Sequence, residues 1–326
     1  MKDVYNVTIV GCGSIGALKD NAYDDPNSPY PKTLANAVKR NKRLRLLALH
    51  DTDEEKQRRA KTKWGVTNSR SLQENMSETD IVVVTCDTEK HVEVVNQCMS
   101  YRSWFYMHPG VVLIEKPAGH FADLTFNVPK GVTIGVDYSR RYVPEFHALR
   151  YRLLRGTTYS CTVYYNRGIY RDGCHAIDLC NWFFGDVVDC KILSGKSYTD
   201  YSEADPTVCA HLQYERCPHV VMLPVDGDRV SVFELVIMTD TDKIVITDVG
   251  KEFHYYALKN SDYGDYYTYT TTPQIGLTSM INALSNYVQE AVDVLDGRRE
   301  KFSCTYNDAL NVHNVIRKLY RSKKPV

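Results

Sequence analysis

The apolar positions of this chain follow two rhythms. In the first, short runs that are apolar at nearly every position alternate with segments of helical spacing. Val4 to Val10, Leu44 to Leu49, Ile81 to Thr85 and Val111 to Ile114 are too short for helices, the last of them largely β-branched, and stretches such as Lys32 to Arg40 and His91 to Met99 separate them. Runs of this kind belong to strands covered on both faces, so this part predicts a doubly wound parallel sheet, an α/β arrangement. In the second rhythm, the strand Val132 to Asp137 and a helix around Glu145 to Leu154 lead into a series of extended runs. These are Thr157 to Asn166, Val187 to Ser197, Val208 to Tyr214, His219 to Val225, Val230 to Met238, Lys243 to Asp248 and Phe253 to Leu258, with few helices among them. That pattern is α+β: a large, open, mainly antiparallel sheet covered by helices on one face and closed by helices at about Leu277 to Leu295 and Tyr306 to Tyr320. The expected division is one domain over 1–122 and a second over 123–326.

Glycine punctuation adds chemistry to the first rhythm. Directly after the first strand comes Gly11-Cys12-Gly13-Ser14-Ile15-Gly16, the spacing G-x-G-x-x-G at a strand-to-helix junction. The first glycine makes a tight turn, the second lets backbone approach a pyrophosphate, and the third lets helix pack on strand; the helix N-terminus supplies N–H groups for the anion. The stretch from Asn21 to Pro31, rich in Asn, Asp, Pro and Ser, cuts the helix short and is a loop. The second strand ends in His50-Asp51, where a dinucleotide fold places the acid that holds ribose hydroxyls. Asp51 is that residue, or it caps the helix that begins near Asp53. The run from Gly110 to Gly119 is a buried strand stopped by Glu115-Lys116-Pro117, and it delivers a charged pair to the sheet edge where ligands of open α/β sheets sit.

Charge and composition narrow the function classes. Of the 326 residues, 43% are hydrophobic and 25% charged, and 40 basic side chains balance 40 acidic ones. No net field is left to hold a nucleic-acid backbone or an anionic membrane. No apolar run approaches a membrane span, and the N-terminus enters a strand without the charged and apolar regions of a secretory signal. Ten cysteines without a C-x-x-C pair point to a reducing compartment and a cytoplasmic protein. Cys174, His175, Asp178 and Cys180, with Cys217 and His219, match no standard zinc spacing, so no metal is expected. The basic tail at Arg317, Lys318, Arg321, Lys323 and Lys324 is a solvated helix end, and Tyr263 to Tyr269 is strand or loop surface with no basic groove beside it.

The glycine loop, Asp51, the Thr85 to His91 turn, Glu115-Lys116-Pro117 and Gly173-Cys174-His175-Ala176-Ile177-Asp178, in this order, resemble the Gfo/Idh/MocA family of glucose-fructose oxidoreductase and inositol dehydrogenase relatives. The resemblance covers both domains. It implies an N-terminal Rossmann domain, a C-terminal domain on a large open sheet, and NAD(P)-linked oxidation or reduction of a sugar, polyol or nucleotide sugar. It implies a cofactor, NAD or NADP, held by Gly11, Gly13, Ser14, Ile15, Gly16 and Asp51, and by Thr85, Cys86, His91, Glu115 and Lys116. Lys116 and His175 are implied to face the nicotinamide. Arg140-Arg141-Tyr142 with Pro144 resembles the family's arginine-containing segment, which adds Arg141 and Tyr142 to Arg171, Asp172 and His175 as substrate contacts. The Tyr23-Asp24 loop and Arg171-Asp172-Gly173 look most like members of surface-polysaccharide pathways. One position departs from the family: the acid expected four residues before the histidine is Arg171, and Asp172 stands three before. Asp172 either replaces that acid or N-caps the helix from Gly173 to Phe184.

The residues make their own case for chemistry. Moving a hydride between carbon and nicotinamide requires a proton to leave or reach the adjoining oxygen, and an imidazole or a desolvated amine does this near neutral pH. His175 and Lys116 are those groups, with Asp178 on the same helix face as His175 and able to orient it. Two functions stay open: an oxidoreductase of a carbohydrate-like substrate, and a non-catalytic cofactor-binding or regulatory protein that lost the acid. A reductase of a larger conjugated molecule is a third. NAD is expected over NADP because Asp51 would repel a 2′-phosphate, with Arg58 and Arg59 as possible partners for one. A sheet with so many extended runs and so few helices leaves an apolar face uncovered, which predicts a homodimer or homotetramer.

Overall fold

The computed structural model describes residues 2–20, 22–101, 109–119, 125–193, 196–227 and 229–322. The domain boundary expected between 122 and 123 lies outside the described residues, as do Lys323 and Lys324. The chain forms two compact units: Met1–Tyr142 with Ile281–Leu310, and Val143–Met280 with Asn311–Val326.

In the first unit β1 (Tyr5–Val10), β2 (Leu44–His50), β3 (Ile81–Val84), β4 (Val111–Ile114) and β5 (Thr133–Val136) make a parallel sheet in the order β2-β1-β3-β4-β5. Every residue of β3 and β4 is buried, which is why those runs carry no alternation. The strand expected at 132–137 pairs in parallel with β4 and forms an edge of this sheet. Ile134 and Val136 are buried there, and Gly135 packs so closely on the Phe302 ring that a Cβ would lie 2.7 Å from it. Helices α1 (Leu34–Arg40), α2 (Glu54–Trp64), α3 (Leu72–Met76) and α4 (His91–Ser100) connect the strands. Asp53 caps α2 by accepting from the Glu55 and Lys56 N–H groups, and Gly65 ends it in the left-handed region; Ser71 and Glu74 form a capping box on α3.

The glycine loop does not open a continuous helix. The Ala17 and Leu18 N–H groups donate to the Gly13 carbonyl, the chain then departs over 18–32, and on its return Leu34 and Ala35 donate to the Ile15 and Gly16 carbonyls at 2.9 Å. One helix is thus built from two pieces with a loop let into it. Asp24, fully buried, closes the loop by accepting from the Lys32 N–H, the Thr33 hydroxyl and the Asn36 amide at 2.7–2.8 Å. A buried carboxylate is tolerated only when hydrogen bonds replace its water, and here three do.

The second unit holds α5 (Pro144–Leu153), β6 (Thr158–Tyr165), α6 (Cys174–Phe184), β7 (Val187–Ile192), β8 (Tyr198–Ser202), β9 (Asp205–Thr207), β10 (Ala210–Tyr214), β11 (Cys217–Pro224), β12 (Phe233–Thr239), β13 (Asp242–Thr247), β14 (Glu252–Asn260), β15 (Tyr267–Tyr269) and β16 (Gln274–Leu277). Its large sheet runs β15-β14-β13-β12-β6-β11-β10-β7, with β16 beside β14, and is antiparallel except where β11 meets β6. Along β12 and β13 buried and half-buried residues alternate strictly, with Leu235, Ile237, Ile244 and Ile246 fully buried, the period-2 signature of a sheet with one covered face. β8 and β9 form a separate hairpin.

Helix α7 (Ala283–Leu295) returns to the first unit, and α8 (Tyr306–Ser322) comes after it in the chain. The Tyr287 hydroxyl donates to the Gly135 carbonyl at 2.8 Å and accepts the Ile114 N–H at 3.0 Å, joining the ends of β4 and β5. Past the helix end, Asp296 accepts from the Tyr5 hydroxyl at 2.7 Å and from Arg43 at 3.0 Å.

Candidate active site

The first unit contains a cavity of about 570 Å³ at the carboxyl ends of β1, β2 and β3, lined among others by Gly11, Gly13, Asp51, Thr85 and Cys86. Gly11 has φ +102°, and a Cβ there would lie 2.3 Å from the Cys86 nitrogen; at Gly16 a Cβ would lie 2.2 Å from the Gly11 carbonyl oxygen. These two glycines are required by close packing of the loop on itself and on the end of β3. Gly13 differs, since nothing stands within 4 Å of its Cβ position, and its side is open to an approaching ligand. The N–H groups of Gly13, Ser14 and Ile15 have no partner among the described residues, and Gly13 lines the cavity, so the turn keeps unpaired donors beside it. This cradle fits a pyrophosphate.

Asp51 sits in the cavity wall, and its carboxylate accepts from the Cys12 N–H at 2.7 Å and the Asp53 N–H at 2.9 Å. It does not cap α2; Asp53 has that task. Asp51 therefore ties the glycine loop to the turn after β2. Arg58 and Arg59 do not line this cavity, whereas Lys56 does.

At the end of β3 the Thr85 hydroxyl donates to the Gly11 carbonyl at 2.7 Å, so it buttresses the loop. Burial pushes the Cys86 thiol up to about 11, which rules out a thiolate nucleophile at neutral pH. His91 turns inward. It is 1% exposed, and its two ring nitrogens face the Pro117 and Cys86 carbonyls at 3.0 and 2.9 Å, linking the turn after β3 to the Glu-Lys-Pro turn. Glu115 and Lys116 are half-buried at the end of β4, and the Lys116 N–H donates to the Glu115 carboxylate.

Asp137, one residue past β5 and 2% exposed, is a neighbour that sequence reasoning left out, because nothing local marks it. Burial raises the Glu115 carboxyl to about 8, with Asp137 adding repulsion, and raises Asp137 to about 6; the Lys116 charge opposes both shifts. Both groups bind protons more tightly folded than unfolded, so their contribution to stability is complete below about pH 4 and is lost as pH rises through 6 toward 8. Glu115→Gln, which cannot ionise, is expected to hold its melting temperature more nearly constant than the parent between about pH 5 and about pH 8.5. Equal slopes in scanning calorimetry would refute the raised proton affinity of Glu115.

Arg141 and Tyr142 lie in the core of the first unit, 2% and 3% exposed. Arg141 pairs with Asp308 at 3.0 Å, and the Tyr142 hydroxyl donates to the Val136 carbonyl at 2.8 Å. Each thus has a partner within that unit.

In the second unit His175 is the second residue of α6, half-buried, with its ring edge-on to Phe233 at 6.4 Å. A π-turn at Ile169–Gly173 precedes it. Asp172 does not cap the helix: the cap position is Gly173 with no side-chain bond, and the Asp172 carboxylate pairs with Arg167 at 2.7 Å and stands 3.9 Å from Arg171. Asp178 is buried on the inner side of the helix. Among the described residues no three His, Cys, Asp or Glu side chains converge on a metal position, and no helix is long and apolar enough to cross a membrane.

Residues 5–125 match the model of an oxidoreductase family with an NAD-binding Rossmann fold, Gfo/Idh/MocA. Solved structures share the fold over nearly the whole chain. The UDP-N-acetylglucosamine 3-dehydrogenase of Acidithiobacillus ferrooxidans is 13% identical with a TM-score of 0.74, over 97% of this chain and 96% of that one. GenD2 from gentamicin A biosynthesis, in complex with NAD, is 16% identical with a TM-score of 0.67, over 99% and 95%. An oxidoreductase from Agrobacterium radiobacter, in complex with NAD+, L-tartaric acid and magnesium, is 13% identical with a TM-score of 0.66, over 98% and 96%. No curated protein sequence matches the chain.

Proposed function

Because residues 5–125 are those of the Gfo/Idh/MocA family of NAD-binding oxidoreductases, we propose that the protein transfers a hydride between a nicotinamide cofactor and a carbon of a sugar, polyol or nucleotide sugar. The observation that carries this reading is the pairing, within one unit, of an open Gly13 cradle with Lys116 at the end of β4. The carbohydrate class rests on the likeness to a nucleotide-sugar dehydrogenase. When bound, the nicotinamide supplies or takes the hydride. The N–H groups of Gly13 to Ile15 hold its pyrophosphate and Asp51 its adenosine ribose. Lys116 binds the reacting oxygen and stabilises the negative charge that develops there, and His175 moves the proton. Glu115 and Asp137 flank Lys116 with carboxyls whose hold on a proton is raised by burial, and the Lys116 charge opposes that rise.

Arg171 in the family's acid position, with Asp172 engaged by Arg167, favours a second reading: a cofactor-binding protein without turnover. A panel of sugars, polyols and nucleotide sugars, monitored by absorbance of the reduced nicotinamide, separates the two, since only the oxidoreductase shows substrate-dependent change. In fluorescence titrations NADH is expected to bind about tenfold or more tightly than NADPH, because a 2′-phosphate would meet the Asp51 carboxylate at close range. Tighter NADPH binding would remove Asp51 from the ribose site.

A further inference from the structure

Between β7 and β10 the chain leaves the large sheet to form the hairpin β8–β9, which carries two buried polar residues, Asp205 and Thr207. Asp205 is 8% exposed and Thr207 fully buried. Both side chains are spent on the segment before α6. The Thr207 hydroxyl accepts the Gly168 N–H at 2.7 Å, and the two Asp205 oxygens accept the Tyr170 and Arg171 N–H groups, each at 2.8 Å. The carboxylate therefore grips two successive N–H groups of the π-turn, whose Asp172 and Gly173 N–H groups both close on the Gly168 carbonyl. π-Turns cluster at functional sites because they re-aim the residues after them.

The backbone is shaped around this grip. Gly168 has φ +88°, and a Cβ there would lie 2.2 Å from Asp205 Oδ2. Arg167, with no such freedom, also has a positive φ of 59°. Such conformations persist only where surrounding bonds over-determine them, and Asp205 and Thr207 of the hairpin supply such bonds. Burial raises the Asp205 carboxyl and its two N–H bonds lower it; Asp172 and Arg171 are the charged groups that act on it.

We propose that Asp205 is a positioning residue: from the hairpin it holds the π-turn Ile169–Gly173 and so sets the first turn of α6, from which His175 projects. This rests on the reading of His175 as the proton-moving group.

Asp205→Asn keeps size and shape but turns one acceptor into an N–H₂ group facing a backbone N–H. The variant is expected to fold by circular dichroism and to bind NADH as the parent does. Its kcat should fall about tenfold or more, with the pH-rate limb governed by His175 displaced by roughly half a unit. A lower melting temperature with kcat and pH limb unchanged would reduce Asp205 to a structural brace and overturn the proposal. Should Asp205→Asn not fold, Thr207→Ala is read by the same criteria, a kcat loss with a displaced limb supporting the proposal and a melting loss alone overturning it. His175→Ala is run beside them. If it turns over normally, the reading of His175 fails and takes the proposal with it; if it is slow while Asp205→Asn is not, the proposal fails alone.

Discussion

Lys116→Ala is expected to lower turnover about a hundredfold or more while leaving cofactor affinity within roughly twofold, because the group lost acts on the reacting oxygen and not on the pyrophosphate. The structure separates these tasks. The cradle is built from Gly11, Gly13 and Gly16, braced by Thr85 and Asp51, and Lys116 does not line the cavity where the dinucleotide would lie. His175→Ala should cost a similar factor. Groups that serve one proton transfer behave as a unit, so the double variant should be little slower than either single one. Additive losses would mean two independent contributions, and an unchanged rate in Lys116→Ala would leave the cofactor-binding reading standing alone. Steady-state kinetics on the best substrate of the panel, with an NADH titration for each variant, decides among these outcomes.

Gly11→Ala should be the most damaging single methyl group in the first unit. Its Cβ would stand 2.3 Å from the Cys86 nitrogen and 2.4 Å from the Thr85 carbonyl carbon, backbone atoms that move only if β3 moves, at a φ of +102° that alanine resists. Overpacking and strain together are expected to cost about 3 kcal/mol or more, a fall of roughly 5–10 °C in melting temperature, with loss of NADH binding. Gly13→Ala is the contrast. Its Cβ meets nothing within 4 Å, so the protein should melt near the parent's temperature yet bind NADH poorly, because the methyl group fills the space through which a pyrophosphate approaches. Equal melting temperatures for parent and Gly11→Ala would show that the loop does not pack against β3 as described.

Much of the fold is legible along the chain. Fully buried strands such as β3 and β4 betray themselves by unbroken apolar runs, and the alternation in β12 and β13 does the same for a sheet with one covered face. The glycine spacing and the Glu-Lys-Pro turn are local signals and lead to the cofactor cradle and to Lys116. What escapes a linear reading depends on partners far away in sequence. Tyr287 reaches β4 and β5 from more than a hundred residues on, and no periodicity announces that α7 completes the first unit. Asp205 likewise acts on Tyr170 and Arg171 across the sheet excursion, and Asp137 matters only because Glu115 and Lys116 lie beside it. The partner of β5 is hidden for a related reason: a short apolar run does not say which neighbour it will meet. Asp51 and Asp172 show the limit of position as a guide to role, since each stands where a cap would stand and neither is one.

The claim that hydride moves is tested most directly by tracking the hydride itself. NADH carrying deuterium at the transferred position, incubated with the protein and keto forms of the panel sugars and nucleotide sugars, should yield by mass spectrometry a reduced product with the label on carbon, in proportion to the cofactor consumed and formed about a hundredfold more slowly with Lys116→Ala. NADH that binds the protein tightly yet keeps its deuterium with every substrate would contradict the account.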